Sequence, residues 1–224
     1  MNSLMEMVCG VCNNVRNNSK HGISFQKLLV RLRKEFRDQG FDIGIKSIRD
    51  KKLTPEEFYV HAYYDPEDDQ NHEIAIEVNV HHNFDKDTVW DQPHVTDFLI
   101  QIFDAVVHEF KHQRQSRKRK YTVYHSHVKS SNDYYLYLSD PDEVDAYALS
   151  IAIELCRTLG KFRAIRYLAK FNSLCKLKFH GCYVSPQLAA YAGQFGNLNS
   201  PILKILAKKI YVRLQKVDTD CIFL

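Results

Sequence analysis

The chain has 224 residues, 45% of them hydrophobic and 26% charged, with a net charge of +4. That is an ordinary globular composition, long enough for one full core or a core plus a small appendage. No apolar run reaches membrane-span length, which argues against a membrane partner, and so mild a charge does not by itself imply nucleic acid.

Residues 1–23 are expected to form a short N-terminal segment. Its apolar character is broken by Glu6 and no basic stretch precedes it, so a secretory signal is not expected. Six cysteines are spread along a chain of a size that needs no disulfide staples. A reducing, cytoplasmic setting follows as the expectation, suiting a bacterial or phage-infected cell.

Ser24 can cap a helix in which Phe25, Leu28, Leu29, Leu32 and Phe36 recur at helical spacing, with Gly40 placed to stop it. Three period-two stretches follow: Ile43 and Ile45; Phe58, Val60, Ala62 and Tyr64; and Ile74, Ile76, Val78 and Val80. This alternation predicts half-buried antiparallel strands, and Thr54-Pro55-Glu56-Glu57 resembles a turn of helix between the first two. From about Pro93 the period becomes helical, with Phe98, Leu99, Ile102, Val106 and Phe110 as the core stripe. A tyrosine-rich connection leads to Asp140-Pro141-Asp142-Glu143, a helix start whose inward residues are Val144, Tyr147, Ala148, Ile151, Leu155 and Leu159, with Gly160 at its end. Ser185-Pro186 and Ser200-Pro201 open further helices, the last with an apolar face of Ile202, Leu203, Leu206, Ile210 and Leu214. The expected architecture is α+β, a small antiparallel or mixed twisted sheet on the long helix. Residues 24–160 are expected to form the main domain, and residues 161–224 a helical extension packed on it.

The long helix carries His108-Glu109-Phe110-Lys111-His112. Histidines four apart project from one helix face and can share a tetrahedral zinc. Glu109 then stands beside the metal, where a base takes a proton from water. His108 and His112 are therefore candidate ligands and Glu109 the candidate general base. The bland alternative is a solvated pair of surface histidines at a polar helix end.

Over roughly Ile43 to Leu159 the chain resembles the zincin metallopeptidases, whose HExxH helix packs under a small twisted sheet. Lys111 and Arg114 depart from the family pattern, where those positions are usually uncharged, and this predicts a more open helix face. The metzincin continuation is excluded, because Gln115 and Lys118 stand where it needs Gly and His. The gluzincin type takes its third ligand from a Glu on a later helix, and Glu143-Val144-Asp145-Ala146 resembles that element, as in small regulatory or phage-encoded peptidases. The resemblance thus implies Glu143 as the third ligand, with Tyr147 as an outer partner; Asp142, Asp145, His125 and His127 are reserves. Asp140 and Glu143 also match a capping box, which needs no metal. The implied activity is zinc-dependent hydrolysis of a protein or peptide. Its substrate would add as a strand along Ile74–Val80, and Tyr134, Tyr135 or a loop His would serve as oxyanion donor.

Two further constellations are present. The run Arg114, Arg117, Lys118, Arg119, Lys120 is either a weak nucleic-acid contact or a solvated helix end complementing the helix dipole. Cys9 and Cys12, with Cys175, His180 and Cys182, have spacings compatible with a structural zinc, although isolated cysteines more often serve as small buried apolar groups. The competing function is a non-catalytic assembly or nucleic-acid-binding protein that retains a zincin scaffold.

Overall fold

A computed structural model describes residues 2–64, 74–120 and 134–223. The chain groups into two compact units, Met1–Tyr121 with Phe223–Leu224, and Thr122–Ile222. The expected boundaries at 23/24 and 160/161 are not where these units divide.

The first unit begins with α1 (Asn2–Asn17), a helix within what the sequence predicts only as a short N-terminal segment. Met5, Val8, Cys12 and Val15 fall on one face at helical spacing and are fully buried. A two-residue strand, β1 (Ile23–Ser24), leads into α2 (Phe25–Asp38), which has Ser24 at its N-cap and all five expected core residues buried. Gly40 follows at φ +79°, the left-handed conformation that ends the helix at little steric cost.

Next come β2 (Ile43–Asp50), β3 (Phe58–Tyr63) and β4 (Ile74–His81). Thr54 to Glu57 form a tight turn rather than a helix; the Thr54 N–H donates to the Glu57 carboxylate at 2.8 Å, and the Glu57 N–H donates back to Thr54 at 3.1 Å. The sheet order is β2-β4-β3. β3 pairs antiparallel with β4, Val60 opposite Val78, but β2 runs parallel to it, Ile45 opposite Ile76. The sheet is therefore mixed, within the expected architecture, and only β2 departs from the antiparallel pairing read from the alternation. Ile74, Ile76, Val78 and Val80 are essentially inaccessible, as alternation requires of a strand with one face on a core.

A short β5 (Val89–Trp90) pairs with β1 and precedes α3 (Gln92–Lys118). Asp91 caps α3, its carboxylate accepting the His94 N–H at 3.1 Å, with a proline in the first turn. α3 packs against α1, β3 and β4. Gln101 accepts the Val60 N–H at 3.1 Å, and Glu109 accepts the Tyr64 N–H at 2.9 Å. Eight residues of helix and four of strand each span about 12–13 Å, so α3 and β3 run side by side in the same direction. On the far side of the sheet, the Arg33 guanidinium of α2 donates to the Ile45 carbonyl of β2. Phe223 returns to this unit, buried, with its ring beside Phe103 and the Arg16 guanidinium over it.

The second unit holds α4 (Tyr134–Ser139), α5 (Pro141–Leu159), α6 (Lys161–Leu168) and α7 (Phe171–Leu174). A hairpin of β6 (Lys178–Phe179) and β7 (Cys182–Tyr183) follows, then α8 (Pro186–Phe195) and α9 (Pro201–Lys216). α5 and α9 form its core, burying Ile151, Leu155, Leu203, Leu206, Ile210 and Leu214. Ser185 caps α8, accepting the Leu188 N–H at 3.1 Å. The coarse class is α+β, as expected, and no helix among the described residues is long and apolar enough to cross a membrane.

Candidate functional site

One turn of α3 brings the two expected imidazoles together. Nε2 of His108 and Nε2 of His112 lie 3.1 Å apart, with ring centroids separated by 4.8 Å. Two nitrogens at about 2.0–2.1 Å from one tetrahedral zinc stand roughly 3.3 Å apart. The pair thus has the chemistry and spacing to share a cation.

Glu109 lies between them in sequence, is buried, and is held by the Tyr64 N–H at the end of β3. That bond fixes the carboxylate without neutralising it. The strand residue that does this carried no signal in the sequence, because a backbone N–H is common to every position.

His108 and His112 are themselves half-buried, while their neighbours along the helix are more enclosed than a freely solvated helix end would be. Glu109, Lys111, Gln113, Gln115 and Ser116 are all less than 9% exposed, and Phe110 packs its ring 5.3 Å from that of Phe41. The expectation of an open face fails at Lys111, which is 7% exposed, although Arg114 does face solvent. A lysine stem can bury its methylenes along apolar neighbours, so a charged residue type alone did not report exposure.

The expected substrate strand is corrected as well. Ile74–His81 is central in its sheet, with β2 on one side and β3 on the other. It has no open edge to receive a peptide.

Glu143 lies in the first turn of α5 in the second unit. The capping box is not formed there: Asp140 accepts the Asp142 N–H at 2.8 Å, while the Asp140 N–H is taken by the Tyr137 carbonyl at 3.1 Å. The Glu143 carboxylate instead meets the Tyr137 hydroxyl, which also bonds Tyr147. Burial, followed by the negative charge of Glu143, pushes the Tyr137 hydroxyl far above its ordinary value, so it stays protonated as a donor. Tyr191 is raised for the same leading reason, and its ring stands 5.4 Å from Tyr147. Tyr147, the expected partner of Glu143, bonds Tyr137 instead, and Tyr137 was visible in sequence only as one of three clustered tyrosines. Tyr134 and Tyr135 are half exposed on α4.

Among the reserve ligands, Asp145 is committed to Arg213 at 2.6 Å and Lys209 at 3.1 Å. Asp142 stands beside Glu143 in the same turn, and His125 and His127 lie outside the described residues. The cysteines show packing roles. Cys9 and Cys12 are buried on α1, where the Cys12 thiol donates to the Leu99 carbonyl, and Cys175 is buried beside α7, whereas Cys182 is exposed on the hairpin. No protein-family model, curated protein or solved structure matches this chain.

Proposed function

We propose that the protein is a zinc-dependent peptidase of gluzincin type, with His108, His112 and Glu143 as the metal ligands and Glu109 as the general base. The observation that carries the reading is the 3.1 Å approach of the two Nε2 atoms on a helix whose Glu109 is buried and anchored. The zincin resemblance supplies Glu143 as the third ligand, and two imidazoles with one carboxylate are the donor set of a catalytic zinc. When bound, zinc supplies Lewis acidity that brings the pKa of a water to about 7 and polarises the scissile carbonyl.

The chain's own residues would do the rest. Glu109 takes the proton from the attacking water and delivers it to the departing amine nitrogen. The Tyr64 N–H keeps its carboxylate in one orientation through both transfers. Tyr137, held protonated, donates to Glu143 and orients it, the usual task of an outer partner to a ligating carboxylate. The substrate would be a protein or peptide.

The test is paired: bound zinc, and cleavage of a denatured protein mixture, for the wild type and Glu109→Gln. Zinc in both with cleavage only in the wild type supports the proposal. Zinc in both with cleavage in neither replaces it with a non-catalytic scaffold, and absence of zinc overturns it.

A further inference from the structure

Between Glu154 and Asp218 the sequence contains no Asp or Glu and twelve Lys or Arg. Some of these cations are used internally: Lys209 and Arg213 by Asp145, and Lys161 by the carbonyls of Gln215 and Val217 at 3.0 and 2.9 Å. The outward side of α6 is different. It carries Arg163, Arg166 and, just past its end, Lys170, and no ion pair among the described residues involves any of the three. Like charges one turn apart on a helix repel.

Two aromatic rings sit among these cations. Phe162 is 85% exposed, more than any other large hydrophobic side chain among the described residues, and Tyr167 is 41% exposed. Arg163, Arg166, Tyr167 and Lys170 line a groove of about 370 Å³. The apolar residue that seats α6 in its unit, Ala164, is buried, while Ile165 and Leu168 are only partly accessible. The exposed side therefore alternates rings with cations and offers no continuous apolar strip of the kind that inserts into a bilayer. Cations spaced along a groove and rings open on their faces match a sugar-phosphate backbone and its unstacked bases.

We propose that α6 forms a binding surface for single-stranded nucleic acid, with Arg163, Arg166 and Lys170 contacting phosphates and Phe162 and Tyr167 stacking on bases. The proposal uses none of the residues of the basic run at the end of α3 and does not depend on the peptidase reading.

The test uses the full chain and a fluorescein-labelled mixed-sequence DNA strand of about 20 nucleotides, longer than the roughly 4–16 nucleotides that one such module covers. Anisotropy is followed over a salt series, and circular dichroism verifies that each variant folds. Binding is expected, weakening on the order of ten-fold in Phe162→Ala with an unchanged salt dependence, because stacking releases no counterions. Arg163→Ala is expected to flatten the plot of log affinity against log salt by about 0.7, one phosphate's share for a single strand. Arg117→Ser with Arg119→Ser is expected to leave both quantities unchanged. The proposal is overturned by no binding at low salt, by binding indifferent to Phe162→Ala, or by binding to phosphatidylserine vesicles in preference to the strand.

Discussion

The carboxylate of Glu109, on the motif helix, accepts the backbone N–H of Tyr64, at the end of an edge strand, at 2.9 Å. Glutamine keeps an oxygen that can accept that bond, and alanine does not. Glu109→Gln is therefore expected to fold as the wild type does and retain zinc, while cleavage falls by about 10²–10⁴, the usual contribution of a general base. Glu109→Ala should lose activity and also about 1 kcal/mol of stability, since a part-buried donor loses its acceptor. Urea unfolding of the two variants separates the roles; equal stabilities would show that the Tyr64 bond holds nothing.

Neighbouring acids on α5 should behave in opposite ways. Glu143→Ala is expected to weaken zinc binding by more than the roughly 10–100-fold typical of an outer-partner change, and Tyr137→Phe to fall within that range. Asp145→Asn should leave zinc unchanged and cost about 1–2 kcal/mol, because its partners Arg213 and Lys209 are partly solvated. Competition against a zinc chelator reads the first effect and thermal unfolding the second. Full zinc affinity in Glu143→Ala removes it from the ligand set.

Acid should weaken the start of α3. Bonds from the His94 side chain and then its backbone N–H hold the Asp91 carboxyl below its ordinary value. A lowered folded-state value means that the cap's electrostatic share is complete above the unfolded value of about 3.9 and disappears as pH falls through the folded one. The difference in Tm between wild type and Asp91→Asn is therefore expected to close as pH falls from about 5 towards 2. A gap unchanged down to pH 2 would exclude the charge as the source.

The thiols should divide sharply in reactivity. Cys182 is exposed, whereas the other five cysteines are buried. Burial pushes the Cys175 thiol up to about 11 and raises Cys9 and Cys156. Ellman's reagent at neutral pH is expected to titrate a single thiol rapidly, and Cys182→Ser to abolish that phase, because the thiolate is the reacting form.

What the sequence revealed and what it hid have physical reasons. Alternation at Ile74 to Val80 and the stripe from Phe98 to Phe110 report which face is buried, because side-chain direction follows the backbone period. They say nothing of partner direction, so the parallel run of β2 beside β4 and the central place of β4 were not legible. The α1 face of Met5, Val8, Cys12 and Val15 was present but short and mixed with cysteines. At the site, His108 and His112 met because helix geometry alone sets their spacing. The Tyr64 anchor, the burial of Lys111 and the use of Tyr137 by Glu143 depend on tertiary approach, which local pattern does not encode.

The three-stranded sheet has a guard on each flank: Arg33 on the Ile45 carbonyl, and Gln101 with Glu109 on the N–H groups of Val60 and Tyr64. Unsatisfied strand edges are where one folded chain templates another, and these side chains occupy the hydrogen-bonding positions such a template would use. Glu109 thus covers a hydrogen-bonding position at this strand's end, apart from the chemistry proposed for it. A chain that lost it would present part of an open β edge to its neighbours at high concentration, as one that lost Gln101 would farther along the same strand.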